Sequence, residues 1–154
     1  MKRTRYLCSL VALFIVGCAN SPDRLPPLSR KFYYNLPSPE DQRAFLKLKE
    51  AQRQSFLERK GLWEKWSGLT QAERDAVLRG EVNVGFQEFS AFMVWGPPAD
   101  TQGKEPKSHT FIRCTSGPKV GRYVPNNLDC DGTSSEHKIT VDHTGVIVEI
   151  KFLN

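Results

Sequence analysis

Asn127, Asp129 and Asp131 set side-chain oxygens at alternate positions, and Gly132 follows them. That is the opening of a calcium-binding loop, in which hard oxygen ligands wrap a cation around a turn glycine. The twelfth position of such a loop should be a bidentate Glu; here it is Lys138, and Glu136 falls two residues short. The middle of the run is Cys130. An Asx-rich turn is the expected outcome, with no calcium. His109, His137 and His143, with Asp142, carry zinc-ligand chemistry, but none has i,i+4 helical or C-x-x-C spacing, and no metal is expected. Nor is there a nucleophile elbow or related motif, so the chain is expected not to be an enzyme and to need no cofactor.

The cysteines carry the firmest chemistry. The chain opens MKRTRYLCSLVALFIVGC: Lys2, Arg3 and Arg5, then an apolar run from Leu7 to Val16, then Gly17 and Cys18. The run is too short to span a bilayer core of about 30 Å. A small residue just before a Cys, after a short apolar core, resembles a bacterial lipobox. The resemblance implies cleavage after Gly17 and lipidation of Cys18, with stable anchoring by several acyl chains. Ala19 in place of Asp favours the outer membrane. Residues 1–17 are thus expected to be a signal peptide.

Two consequences follow. The chain has 22 Lys and Arg against 17 Asp and Glu, a net +5. Removing Lys2, Arg3 and Arg5 leaves 19 against 17, or +2, so the basicity is mostly targeting and no nucleic-acid partner is expected. Cys114 and Cys130 then remain in an oxidising compartment. They are expected to form a disulfide closing a loop of about 17 residues, worth about 3 kcal/mol in the chain-entropy model.

The elements that must position these residues fall in a simple order. Residues 18–37, proline-rich and without periodicity, read as a flexible tether, although Phe32, Tyr33 and Tyr34 suggest docking of an edge segment on the domain. Ser38-Pro39-Glu40-Asp41 is an N-cap signature for a helix running to about Lys60, before Gly61. Leu62, Trp63 and Trp66 sit in a short helical turn. Thr70 to Glu73 is a capping box for a helix ending at Gly80. In GFQEFSAFMVWGPP, Phe86, Phe89, Phe92, Met93 and Trp95 recur at helical spacing, and Gly96-Pro97-Pro98 stops the helix. That stripe is expected to be buried. Residues 99–108 read as a loop, His109 to Cys114 as a strand, Gly121 to Val124 as a weak strand, and Lys138 to Phe152 as a hairpin. The expected class is α+β: N-terminal helices, then a three-stranded antiparallel sheet, in one domain over 38–154.

Gly85, Phe86, Trp95, Gly96 and Pro98, with the hairpin and lipobox, resemble the signature of the SmpA/OmlA (BamE-like) family of outer-membrane lipoproteins. The resemblance covers about residues 82–154, leaving 38–80 as a helical extension. Gln87 stands where that family has a Thr or Ser cap. It implies a non-enzymatic component of outer-membrane assembly or maintenance, anchored by its lipid on the periplasmic side and bound to an envelope protein partner. The alternative reading is a binding or inhibitory module for a periplasmic or secreted enzyme.

Overall fold

The computed structural model describes residues 21–153. Cys18 and the expected signal peptide lie outside them. No helix among the described residues is long and apolar enough to cross a membrane.

The chain is α+β, with six α-helices among the described residues ahead of a small antiparallel sheet. The first correction concerns the expected tether. Ser21 caps a 3-10 turn at Pro22–Arg24, and α1 follows at Pro27–Tyr34. Proline at the first helical positions costs nothing there, because that N–H has no intrahelical acceptor anyway. The helix buries Phe32 against Trp63 and Trp66, ring centroids 6.0 Å away in each case. Leu25 and Leu36 are buried with it. Residues 21–37 therefore belong to the domain; the aromatic residues do dock, but as a helix.

The second correction is the long helix from Ser38. It is two helices, α2 at Pro39–Lys47 and α3 at Glu50–Arg59, with Leu48 and Lys49 extended between them. In one straight helix Phe45 and Phe56 would lie about 16 Å apart along the axis. The break folds them onto each other at 5.9 Å between centroids. The Gln52 side chain accepts from Lys49 N and supplies the new N-terminus. α4 (Leu62–Ser67) and α5 (Gln71–Arg79) follow as their caps require, with Gly80 at positive φ ending α5.

α6 (Glu88–Trp95) is the central element. Phe89 and Met93 pack into the core of α1–α5, while Ala91 and Trp95 pack on the sheet. An eight-residue helix with apolar residues on all sides is one covered on all sides. Phe86 precedes the helix rather than joining it. Gly85 N donates to Ile147 O, Ile147 N to Phe86 O and Glu88 N to Gly145 O, so residues 85–88 lie along the hairpin turn.

The sheet has five strands rather than three: β1 (Asp100–Gln102), β2 (Lys107–Cys114), β3 (Tyr123–Val124), β4 (Ser134–Val141) and β5 (Ile147–Leu153). The order is β1-β2-β4-β5, with β3 on the same edge of β2 as β1. β1 arises in the segment expected to be a loop. Its three exposed polar residues give no alternation signal; pairing with Ser108, His109 and Thr110 decides their state. The helices cover the face bearing His109, Phe111, Ile139, Val141 and Ile147, all buried. Ser108, Lys138, Thr140, Glu149 and Lys151 line a shallow concavity on the other face.

Candidate functional site

The chain stops helix α6 where a groove begins. Gly96 has φ +85, which a side chain disfavours, and Pro97 and Pro98 cannot continue a helix. Asn35 Nδ2 donates to Phe92 O at 2.8 Å and to Lys31 O at 2.9 Å, tying the end of α1 to the end of α6. Between α1, this exit and residues 119–125 lies a groove of about 880 Å³. Phe92, Val94, Trp95, Pro97 and Pro98 form its apolar floor, and Tyr34 and Tyr123 stand on its walls. Cys114 and Cys130, at disulfide distance with Cα atoms 5.3 Å apart, hold the loop that makes the far wall.

The rim is basic. Arg30, Lys31, Lys119 and Arg122 line the groove against Asp23 and Asp129. Lys119 is engaged, donating to Asp129 O and lying 3.6 Å from Asp131 Oδ2. Arg30, Lys31 and Arg122 have no ion-pair partner among the described residues. Burial, then the neighbouring Arg30 charge, lowers the Lys31 pKa. An anion seated there would relieve both costs.

Two further clusters lie beside the aromatic helix. His109 is buried, with Nε2 2.8 Å from Glu88 Oε2 and Nδ1 2.8 Å from Thr101 Oγ1. Lys107 Nζ lies 2.8 Å from the same Glu88 oxygen. Hydroxyl, imidazole and carboxylate are connected in the order that activates a nucleophile. Yet the carboxylate is shared with Lys107, and none of the three lines either concavity. Burial pushes the Glu88 carboxyl up, but hydrogen bonds from His109 and Lys107 outweigh it and hold the carboxyl below its usual range. The cluster clamps β1 and β2 to the first turn of α6.

In the second cluster Tyr123 Oη lies 2.8 Å from His137 Nδ1, and the imidazole stands edge-on to Trp95 and to Phe152. Burial, and then the charge of Arg113, lowers the His137 pKa. Burial also pushes the Tyr123 hydroxyl up to about 12, against Arg113. Neutral His137 with an unprotonated Nδ1 accepts from Tyr123; the imidazolium cannot accept. The unfolded chain takes up this proton near pH 6.5, before the folded one. This part of the stability is therefore complete above about pH 6.5 and lost as pH falls toward the lowered folded value. Melting temperature is expected to fall between pH 7 and 5, and His137→Gln to flatten that slope. An unchanged slope in the variant would assign the acid sensitivity to another group.

The residues singled out by sequence are distributed as follows. Gly85 and Phe86 meet the hairpin turn; Trp95, Gly96 and Pro98 border the groove. Asn126 Oδ1 accepts from Asp129 N and caps a 3-10 turn at Asn127–Cys130, so the calcium-like run is a capped turn ending in the cystine. The three histidines lie apart, His143 being in the β4–β5 turn. No three His, Cys, Asp or Glu side chains converge among the described residues. Arg30, Lys31 and Arg122 were not legible as site residues. Arg30 and Lys31 lie in the segment read as a tether, and only a helical reading of Pro27–Tyr34 puts both beside Tyr34.

The chain matches no family model, and it matches neither curated proteins nor solved structures.

Proposed function

We propose that the protein is a non-enzymatic protein-interaction component of the bacterial envelope, anchored to the outer membrane through Cys18. The basic-rimmed aromatic groove beside the exit of α6 carries this reading. It is wide and open, as suits a segment of another protein. Its lining offers Trp95, Tyr34 and Tyr123, and its rim offers cations with no partner among the described residues. Aromatic and arginine side chains together are the usual anchors of binding energy at interfaces. The lipobox-like leader supports the location, and the SmpA/OmlA-like pattern suggests a role in outer-membrane assembly or maintenance.

Photo-crosslinking in cells tests this. A photoreactive residue at Tyr34 or Arg122 is expected to capture an envelope protein, with the yield falling when Cys18 is changed to Ser. A probe outside the groove, at the exposed Leu78 of α5, is expected to capture none. Capture that is equal at all three positions, or unaffected by Cys18→Ser, would overturn the reading.

A second reading is favoured by one observation. The cystine-stapled loop exposes Leu128 to 85% and Val120 to 63%. A rigid loop with exposed apolar tips is how an inhibitory module enters an enzyme cleft. In that case a probe at Leu128 captures a single periplasmic or secreted enzyme and the groove probes capture nothing.

A further inference from the structure

The sheet has two edges: one made of the short strands β1 and β3, the other of the seven-residue β5. The outer edge of β2 is covered by β1 and β3. The start of β5 is covered by residues 85–87, which bridge Val146 and bond to Ile147. From Val148 to Phe152 no strand pairs with its outer edge among the described residues. Val148, Phe152 and Leu153 are nevertheless large, apolar and exposed, Phe152 to 64%. Sheet edges are ordinarily blunted by like charges or proline, because a bare row of N–H and C=O groups is a template for another chain. This edge has no proline, and its two exposed charges, Glu149 and Lys151, are of opposite sign and so do not repel a second copy.

Its sequence, Val-Glu-Ile-Lys-Phe, is complementary to itself. Antiparallel pairing centred on Ile150 sets Ile150 against its own copy. It sets Glu149 opposite Lys151 of the second copy, and Lys151 opposite Glu149. It also sets Val148 opposite Phe152, and Phe152 opposite Val148. The two charged pairs fall on the open face of the sheet, where Glu149 meets Thr140, and the apolar pairs fall on the face of Ile139 and His137. Opposite charges and apolar partners directly across a strand pair are stabilising, and like charges are not. Within one chain Glu149 and Lys151 pair with each other at 2.9 Å, both about half exposed, so the same two side chains need only exchange partners.

We propose that two copies of this chain associate through β5, antiparallel about Ile150, to make one continuous ten-stranded sheet. A closed two-fold contact of this kind is isologous: one patch serves both subunits. It leaves the groove beside α6 outside the contact, since no residue of β5 lines it.

Charge exchange tests the register. Two differently tagged copies of the full chain are co-expressed, extracted in detergent and captured by one tag. Wild type is expected to capture wild type. E149K with E149K, and K151E with K151E, lose about tenfold of that capture, because two charge pairs become repulsive at once. E149K with K151E restores it, and so does the double exchange E149K/K151E with itself. Association through residues 1–20 would be equal in all pairings, and that result overturns the proposal. So does capture that fails in wild type, or that a single exchange leaves intact. Both positions are surface ones, so circular dichroism is expected to show all variants folded. Independently, β5 amides in the wild type gain protection from hydrogen exchange as concentration rises. Protection that appears only with an unrelated envelope protein present would assign the edge to that protein instead.

Discussion

Phe32→Ala is expected to cost about 3–5 kcal/mol, a large share of the roughly 5–15 kcal/mol available to a domain of this size. Phe32 is 1% exposed and lies in edge or tilted contact with Trp63 and Trp66. Its removal loses the transfer energy of the ring and leaves a cavity beside Trp63 and Trp66 of α4. Tyr34→Ala, on the exposed face of the same helix, is the control and is expected to cost under about 1 kcal/mol. Urea unfolding measures both. A small loss at Phe32 would mean that α1 does not pack in solution and that the segment behaves as a tether after all. The groove would then lose its wall of Arg30, Lys31 and Tyr34, so the same experiment bears on function. Groove crosslinking is expected to fail in Phe32→Ala even at temperatures where the sheet remains folded.

What was legible in the chain was local chemistry. Ser38, Thr70 with Glu73, Gly61 and Gly80 announce helix ends through groups within four residues of themselves, and the structure places ends there. The β4–β5 hairpin was legible because alternation runs through both strands and Asp142 folds its own turn, accepting from Thr144 and Val146 N. The Cys114–Cys130 pair was legible because the expected leader accounts for Cys8 and Cys18 and leaves these two. What was not legible depends on distant partners. Leu48 and Lys49 break a helix that local propensity would continue, for the sake of the Phe45–Phe56 contact. The three residues of β1 become a strand only because β2 offers an edge. The groove needs three segments far apart in the chain, around residues 27–35, 92–98 and 119–125, and its cations look like any solvated charges until those segments meet.

Gln87 is the sharpest case of a distant solution to a local problem. It sits at the N-cap of α6 without a side-chain cap of its own. The acceptor comes from α5: Glu73 Oε1 takes the Gln87 N–H at 2.6 Å. The other oxygen of the same carboxylate accepts from Thr70 N at 2.7 Å and Thr70 Oγ1 at 2.8 Å. One buried carboxylate thus serves the first turns of two helices, where the helix dipoles favour negative charge. It also fastens the helical segment 38–80 to the start of the aromatic helix.

Glu73→Ala is accordingly expected to cost about 3–5 kcal/mol, since it leaves two partly buried amides without acceptors at about 1–3 kcal/mol each, and a cap besides. Glu73→Gln keeps one acceptor oxygen and is expected to cost about half as much. Leu78→Ala, on the exposed side of α5, should stay within about 0.5 kcal/mol. Hydrogen exchange separates this account from a generic loss of helix stability. In Glu73→Ala the Gln87 amide should lose protection more than the amides of Val77 or Arg79 within α5. If all fall together, Glu73 merely caps α5. If Gln87 alone falls, the carboxylate is the joint between the two halves, and the placement of Trp95 and the groove floor depends on it.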